Sequence, residues 1–190
     1  MSDFLEKTDE ELVVLTLENQ NHFLYLMNRY EGKLLNYVLR ISNINKEEAE
    51  DLLQEVFIKV YLNLNDFDSK LKFSSWIYRI TRNQVISNFR KIHSKFQITN
   101  FNEEILENIA SDFNIEKDIE LIYLRDNIDK ILEKMNNRYS EVLALRFLEE
   151  KDYKEISDIL KKPMGTVATM LSRAKKDFKK ELDKQEYVER

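Results

Sequence analysis

Between Ser69 and Asn102 the chain carries Lys70, Lys72, Arg79, Arg82, Arg90, Lys91 and Lys95 and no acidic residue at all. A second basic run, Lys161, Lys162, Arg173, Lys175, Lys176, Lys179 and Lys180, is opposed only by Asp177. Lysines and arginines in such density neutralise phosphates, and two separated runs can share one polyanion. The stretch between them reverses sign, with Glu103, Glu104, Glu107, Asp112, Glu116, Asp118 and Glu120 against Lys117. A formal net charge of −5 does not conflict with polyanion binding. Screening over a Debye length of about 8 Å makes the local field, not the sum, decide what docks.

Catalysis finds little material here. The chain has no cysteine and two histidines, His22 and His93. The carboxylates of "NKEEAEDLLQE" have no histidine partners and lack the spacing of a calcium loop. The sequence therefore predicts no catalytic residues, no metal and no cofactor. The lack of cysteine fits a reducing, cytoplasmic compartment. No apolar run approaches the roughly 20 residues that span a bilayer, and "MSDFLEKTDEE" lacks the layout of a secretion signal, so no membrane insertion is expected.

The elements that must carry the basic runs are helical. Apolar residues make up 43% of the chain, enough for buried cores, while Gly 2 and Pro 1 leave almost none of the punctuation that hairpins need. The expected fold is all-α, with two small helical domains joined by a linker. Thr8 with Glu11, and Asn45 with Glu48, fit capping boxes at two helix starts. Phe23, Leu26, Met27, Tyr30, Leu34, Tyr37, Val38 and Ile41 mark the inner face of a helix from about Asn21. After the turn formers Asn65, Asp66, Asp68 and Ser69, a fourth helix buries Trp76, Ile77, Ile80 and Ile86 and closes a first domain at 1–95. Residues 96–113 read as an acidic linker. A second domain at 114–190 begins with Asn114 as a helix cap and ends on a helix from Tyr153 to Leu160, the connection "KKPMG" and a long basic helix. That pair describes a helix-turn-helix. Ile156, Ile159, Leu160, Val167 and Leu171 face inward, and Thr166, Ala168, Thr169, Met170, Arg173 and Lys176 are displayed outward.

Two segments together carry a family likeness. "DLLQEVFIKVYLNLNDFDSKLKFSSWIYRITRNQVISNFRK" resembles region 2 of bacterial extracytoplasmic-function (ECF, group 4) sigma factors, and "YSEVLALRFLEEKDYKEISDILKKPMGTVATMLSRAKKDFKKEL" resembles their region 4. The resemblance implies an adaptor, not an enzyme, that binds core RNA polymerase and directs promoter-specific initiation. It assigns Asp51, Gln54, Glu55 and Phe57 to polymerase, on the β′ clamp helices, with the β subunit as a further contact. For the −10 promoter element it implies Phe67, Lys70, Lys72, Arg79, Arg82, Asn83 and Arg90. The cations suit phosphates, Phe67 can shape a base pocket, and Asn83 offers a donor and an acceptor to a base edge. Trp76, at helical spacing with Ile77 and Ile80, reads as core. For the −35 element the resemblance implies Thr166, Ala168, Thr169, Met170, Arg173 and Lys176, in the major groove of promoter DNA. An anti-sigma factor is the expected inhibitory partner.

The chain departs from the family pattern at Ala168 and Met170, where members commonly carry Lys and Arg. Apolar contact of both with thymine methyls would favour a T-rich element. The residues without the resemblance leave other readings open: a DNA-binding regulator that recruits no polymerase, or a helical protein whose basic faces meet an acidic partner. The acidic linker folding over the basic domains is a further expectation.

Overall fold

The computed structural model describes residues 6–42, 44–94 and 125–188. The expected linker and the Asn114 cap lie outside them. Every regular element among the described residues is helical. The first half holds α1 (Asp9–Glu18), α2 (Phe23–Ile41), α3 (Lys46–Leu62) and α4 (Phe73–Ser94). The second half holds α5 (Arg125–Lys134), α6 (Asn137–Leu143), α7 (Tyr153–Leu160) and α8 (Met164–Val188).

The helix starts follow from local chemistry. Thr8 accepts from the Glu11 N–H at 3.2 Å while Glu11 reaches back to the Thr8 N–H at 2.7 Å. Asn45 and Glu48 repeat the exchange at α3, and Asp152 and Glu155 at α7. The first turn of α4 is capped from outside its own segment, by Glu10 of α1 accepting from the Phe73 N–H at 2.9 Å. That single contact sets α1 against the start of the helix that carries most of the first basic run.

Leu26, Leu34, Val38, Val56, Val60 and Ile77 fill the core of the first half, all fully buried. Each such side chain contributes roughly 1.5–3 kcal/mol through lost apolar exposure. Ile80 and Ile86 are only half-buried. Trp76, 7% exposed, is core as its spacing indicates, and stacks with Phe67 and Phe73 at centroid separations of 5.4 and 5.7 Å. In the second half Ile131, Leu145, Ile156, Ile159, Val167 and Leu171 do the same work. The two cores are continuous, α2 and α4 packing against α6 and α7.

Two irregularities shape the second half. Residues Ala144–Leu148 form a π turn, closed by the Glu149 N–H donating to the Ala144 carbonyl at 2.9 Å. The wider turn absorbs an extra residue and swings Glu149 to the side on which Glu141 already lies; Glu150 then turns the chain with φ 54°. Between α7 and α8, Lys161 adopts the left-handed conformation at φ 54°, and Ser157 ties down the turn by donating to the Lys162 carbonyl at 2.5 Å. Pro163 precedes α8, where its missing N–H leaves no helical bond unmade.

Candidate functional site

The first surface is a groove of about 710 Å³ along the outer edges of α2 and α3. Met27 and Leu35 line one wall, Ile58 and Leu62 the other, and Gln54 stands among them. Ile58 and Leu62 are 59% and 69% exposed, so α3 offers apolar surface beyond what its own core consumes. Phe57 is 6% exposed, packed edge-on against Phe23 at 6.4 Å; it forms the groove floor. Tyr61 is fixed by donating to Gln20 at 2.8 Å. Helical spacing explains how the four α3 residues singled out in the sequence divide: positions 54, 57, 58 and 61 share one stripe and 51, 55 and 59 the next. Glu55 thus faces α4, accepting from the Gln84 amide, whose oxygen takes the Lys59 ammonium. Asp51 is exposed beside the groove and does not line it.

The second surface is α4 with the turn that leads into it. Asp68 accepts from the Lys70 N–H at 3.0 Å and from the Leu71 N–H through its carbonyl at 2.9 Å, which fixes the turn. Phe67 is half-buried against Phe73 and Trp76. Lys70, Asn83 and Arg90 are exposed and Arg79 is half-exposed. Lys72 and Arg82 both meet acids of the second half, Arg82 with its side chain 22% exposed and Lys72 with its side chain still 62% exposed. Arg82 grips Glu141 through two bonds, Nε to Oε1 at 2.7 Å and Nη2 to Oε2 at 3.3 Å. Lys72 lies 3.4 Å from both Asp152 and Glu155.

The same acids bind groups the sequence did not single out. Tyr37 donates to Glu141 at 3.1 Å and Ser74 to Glu155 at 3.1 Å. Tyr78 donates to Glu149 at 2.5 Å, and Arg40 reaches Asp129 at 3.0 Å and Glu149 at 3.1 Å. Burial, reinforced by the adjacent carboxylates, pushes the Tyr37 and Tyr78 hydroxyls well above the ordinary tyrosine value, so both remain donors. Burial alone would depress Arg82, but the Glu141 charge outweighs it and holds the guanidinium above its usual value. Burial lowers Lys151, whose ammonium sits 4.6 Å from the Tyr78 ring.

The third surface is α8. Ala168 and Lys176 are exposed, and Thr166, Thr169 and Arg173 are half-exposed. Thr169 donates its hydroxyl proton to the Gly165 carbonyl at 2.9 Å, leaving only acceptor capacity. Met170 corrects the outward display expected of it. At 8% exposure it belongs to the inner stripe with Val167, Leu171 and Ala174, because three residues from Val167 is one near-complete turn. A methionine in the core makes no contact with a thymine methyl.

Sequence reasoning placed Tyr37 on a core face with no polar role, and passed over Arg40, Ser74 and Tyr78 and the groove residues Ile58, Tyr61 and Leu62. A signal for the groove was present: "VFIKVYLNL" is apolar on nearly every side of its helix, more than a one-sided core needs. Among the described residues no group of His, Cys, Asp and Glu can hold a metal ion, and no helix is long and apolar enough to cross a membrane.

The family profile Sigma-70 region 2 matches residues 26–95, and Sigma-70, region 4 matches residues 125–178. The ECF RNA polymerase sigma factor SigW of Bacillus subtilis (strain 168) is 30% identical over 174 residues, covering 86% of this chain and 90% of that one. The chain belongs to the ECF sigma factors. It is an alternative sigma factor, which binds core RNA polymerase and directs promoter-specific transcription initiation through −10 and −35 recognition. The fold agrees with solved sigma factors. CnrH, determined in complex with the cytosolic domain of CnrY, superposes with a TM-score of 0.67 at 21% identity, covering 93% of this chain and 98% of that chain. RpoE of Bartonella quintana, in complex with the anti-sigma factor NepR, gives a TM-score of 0.64 at 20% identity over 85% of this chain and 96% of that one. Region 2 of this sigma factor therefore carries the groove and the α4 face, and region 4 carries the covering acids and α8.

Proposed function

We propose that the three surfaces divide the work of this sigma factor as follows. The α2–α3 groove takes the β′ clamp helices of core polymerase, with Gln54 and Phe57 in the groove and Asp51 and Glu55 beside it. The observation that carries this reading is the exposure of Ile58 and Leu62 on a groove with a fixed aromatic floor, an arrangement that is favourable only when a partner's apolar side chains fill it. The turn and α4 take the −10 element: Lys70, Lys72, Arg79, Arg82 and Arg90 on strand phosphates, Asn83 on a base edge, and Phe67 as the wall of a base pocket. On α8, Thr166, Thr169, Arg173 and Lys176 meet the −35 duplex, Ala168 contributes apolar contact alone, and Met170 acts only by holding the helix.

The chain is a group 4 member, works in the cytoplasm and catalyses no step itself. Its domains run 1–95 and 114–190, with 96–113 as linker. An anti-sigma factor covers the polymerase-binding groove; support for it comes from the two similar folds solved with CnrY and NepR. The test is transcription with core polymerase and a library of AT-rich promoters. Discrete new start sites are expected with the wild type and are lost with Ile58→Glu. DNA binding without initiation would favour a regulator that recruits no polymerase.

A further inference from the structure

The first turn of α1 holds three successive acids, and each is committed to a different place in the first half. Glu11 closes the capping box with Thr8. Asp9 accepts from Arg29 at 2.6 Å and from the Tyr30 hydroxyl, which fixes α1 to α2. Glu10 reaches 63 residues along the chain and takes the Phe73 N–H at 2.9 Å. The start of α4 needs such an acceptor from elsewhere. Lys72 stands at its N-cap, its carbonyl accepting from the Trp76 N–H at 3.2 Å, and a lysine ammonium has no lone pair to offer the N–H groups of the first turn. That turn carries no acid of its own, so Glu10 supplies from α1 the negative charge that a helix N-terminus favours.

Asp9 and Glu10 converge on one residue. Phe73 is fully buried and meets Tyr30 and Phe67 edge-on, each at a centroid separation of 5.6 Å, with Trp76 at 5.7 Å completing the cluster. Burial, with the Asp9 charge, holds the Tyr30 hydroxyl above the ordinary tyrosine value, so it stays a donor to Asp9. α1 also packs against the Leu64–Asp66 turn, and so touches the chain both before and after the loop from Phe67 to Lys72. We propose that Glu10 is a positioning residue for −10 reading: through the Phe73 N–H it fixes the ring against which Phe67, the wall of the base pocket, is set. The inference rests on the turn and α4 taking the −10 element. Glu10 acts through Phe73 and not on a base. Without it the Lys72–Phe73 junction loses an acceptor and loosens. A pocket wall displaced by about 1 Å loses its choice of base before the strand is lost, because the phosphate contacts of Lys70, Arg79 and Arg90 hold any sequence.

The test uses holoenzyme assembled from core polymerase and the full-length chain, on barcoded templates whose bases upstream of the start site are randomised. Sequencing the transcripts gives two readouts, the preference at the most selective −10 base and the total transcript. Glu10→Ala should cut the preference about tenfold. Its total transcript should change by no more than about threefold, since the phosphate contacts are intact. Glu10→Gln keeps an acceptor for the Phe73 N–H and loses only the charge, so its preference should stay within about twofold of wild type. Phe67→Ala should lose as much preference as Glu10→Ala, and the double variant no more than either alone, because both act through one wall. If circular dichroism finds Glu10→Ala unfolded, Tyr30→Phe decides: it removes only the hydroxyl that Asp9 holds and should cut the preference about threefold. A Glu10→Ala protein of lower stability with unchanged preference, an equal loss in Glu10→Gln, or additive losses in the double variant would each overturn the positioning role, as would an unchanged preference in Tyr30→Phe where it stands alone. An unchanged preference in Phe67→Ala strikes the premise instead: the turn would then not read the −10 element, and the inference would go with it.

Discussion

Region 2 presents two working surfaces treated in opposite ways. The α2–α3 groove is apolar and open, with Ile58 and Leu62 more than half exposed; the α4 stripe is polar and covered, with Arg82 in the grip of Glu141. Apolar surface left in water is a standing cost that only a partner relieves, whereas a cation paired to a carboxylate is already satisfied and must be exchanged. On the proposed assignment, polymerase can engage the groove while the regions are together, because every residue lining it belongs to α2 or α3.

The largest effect should come from breaking the open surface. Ile58→Glu puts a charge on the wall of an apolar groove without touching the core, and a lost interface anchor is worth roughly 2–4 kcal/mol. Core polymerase should bind about a hundredfold more weakly, read by competition against wild type, while the melting temperature stays within a degree or two. Phe57→Ala is the contrasting variant. As the groove floor it should cost about 3–5 kcal/mol of stability as well as affinity, measured by denaturant unfolding.

Salt sharpens the comparison at the covered surface. An open α4 releases counterions in proportion to the phosphates it neutralises, with a slope of about −0.7 per contact for single strands. A Glu141→Gln, Glu149→Gln protein should show the full slope in a plot of log affinity against log salt. Wild type should show a shallower one, since salt reaches the part-exposed Arg82–Glu141 pair and weakens it along with the strand contact. Parallel slopes would mean that the two regions do not compete.

The third surface, α8, is open like the groove but cationic like α4, and it tests the corrected position of Met170. Ala168→Lys adds an exposed cation and should tighten duplex binding about threefold with no change in melting temperature. Met170→Lys buries an ammonium in the helix-turn-helix core and should cost on the order of 3 kcal/mol.

Much of this was legible beforehand, for a physical reason. The Thr8–Glu11 and Asn45–Glu48 boxes, the Tyr153–Leu160 helix and the inward Val167 and Leu171 follow from neighbours within four residues. The Arg82–Glu141 and Tyr37–Glu141 contacts span 59 and 104 residues, and no periodicity relates their ends. A charge run reports an average field, so α4 read as one basic surface although the structure pairs Arg82 with Glu141 and gives Arg79 and Arg90 no ion pair among the described residues. The acidic stretch that the sequence offered as a cover lies outside the described residues; among those, Glu141, Glu149 and Glu155 meet α4. Met170 was misplaced when the face of the helix was read, although its three-residue spacing from the inward Val167 pointed inward.

The smallest effect isolates the exposed Asp152–Lys72 end of the contact between the two regions. Asp152 caps α7 and approaches Lys72, and its carboxyl is held below the usual range, chiefly by the Glu155 backbone N–H, against some burial and with help from the Lys72 ammonium. The folded chain therefore binds that proton less tightly than the unfolded chain. The stability from this charge is complete above the ordinary aspartate value of about 3.9 and is lost as pH falls through the depressed folded value. Asp152→Asn keeps an equally good cap but removes the charge, so at pH 7 it should cost only a few tenths of a kcal/mol, the side chain being 54% exposed. The difference from wild type should vanish in acid, whereas Asp152→Ala, which removes the cap, should cost about 1 kcal/mol at either pH. Denaturant unfolding at pH 7 and pH 3 separates these cases. An asparagine variant equally destabilised at both would show that geometry, not charge, holds this end of region 4 against Lys72.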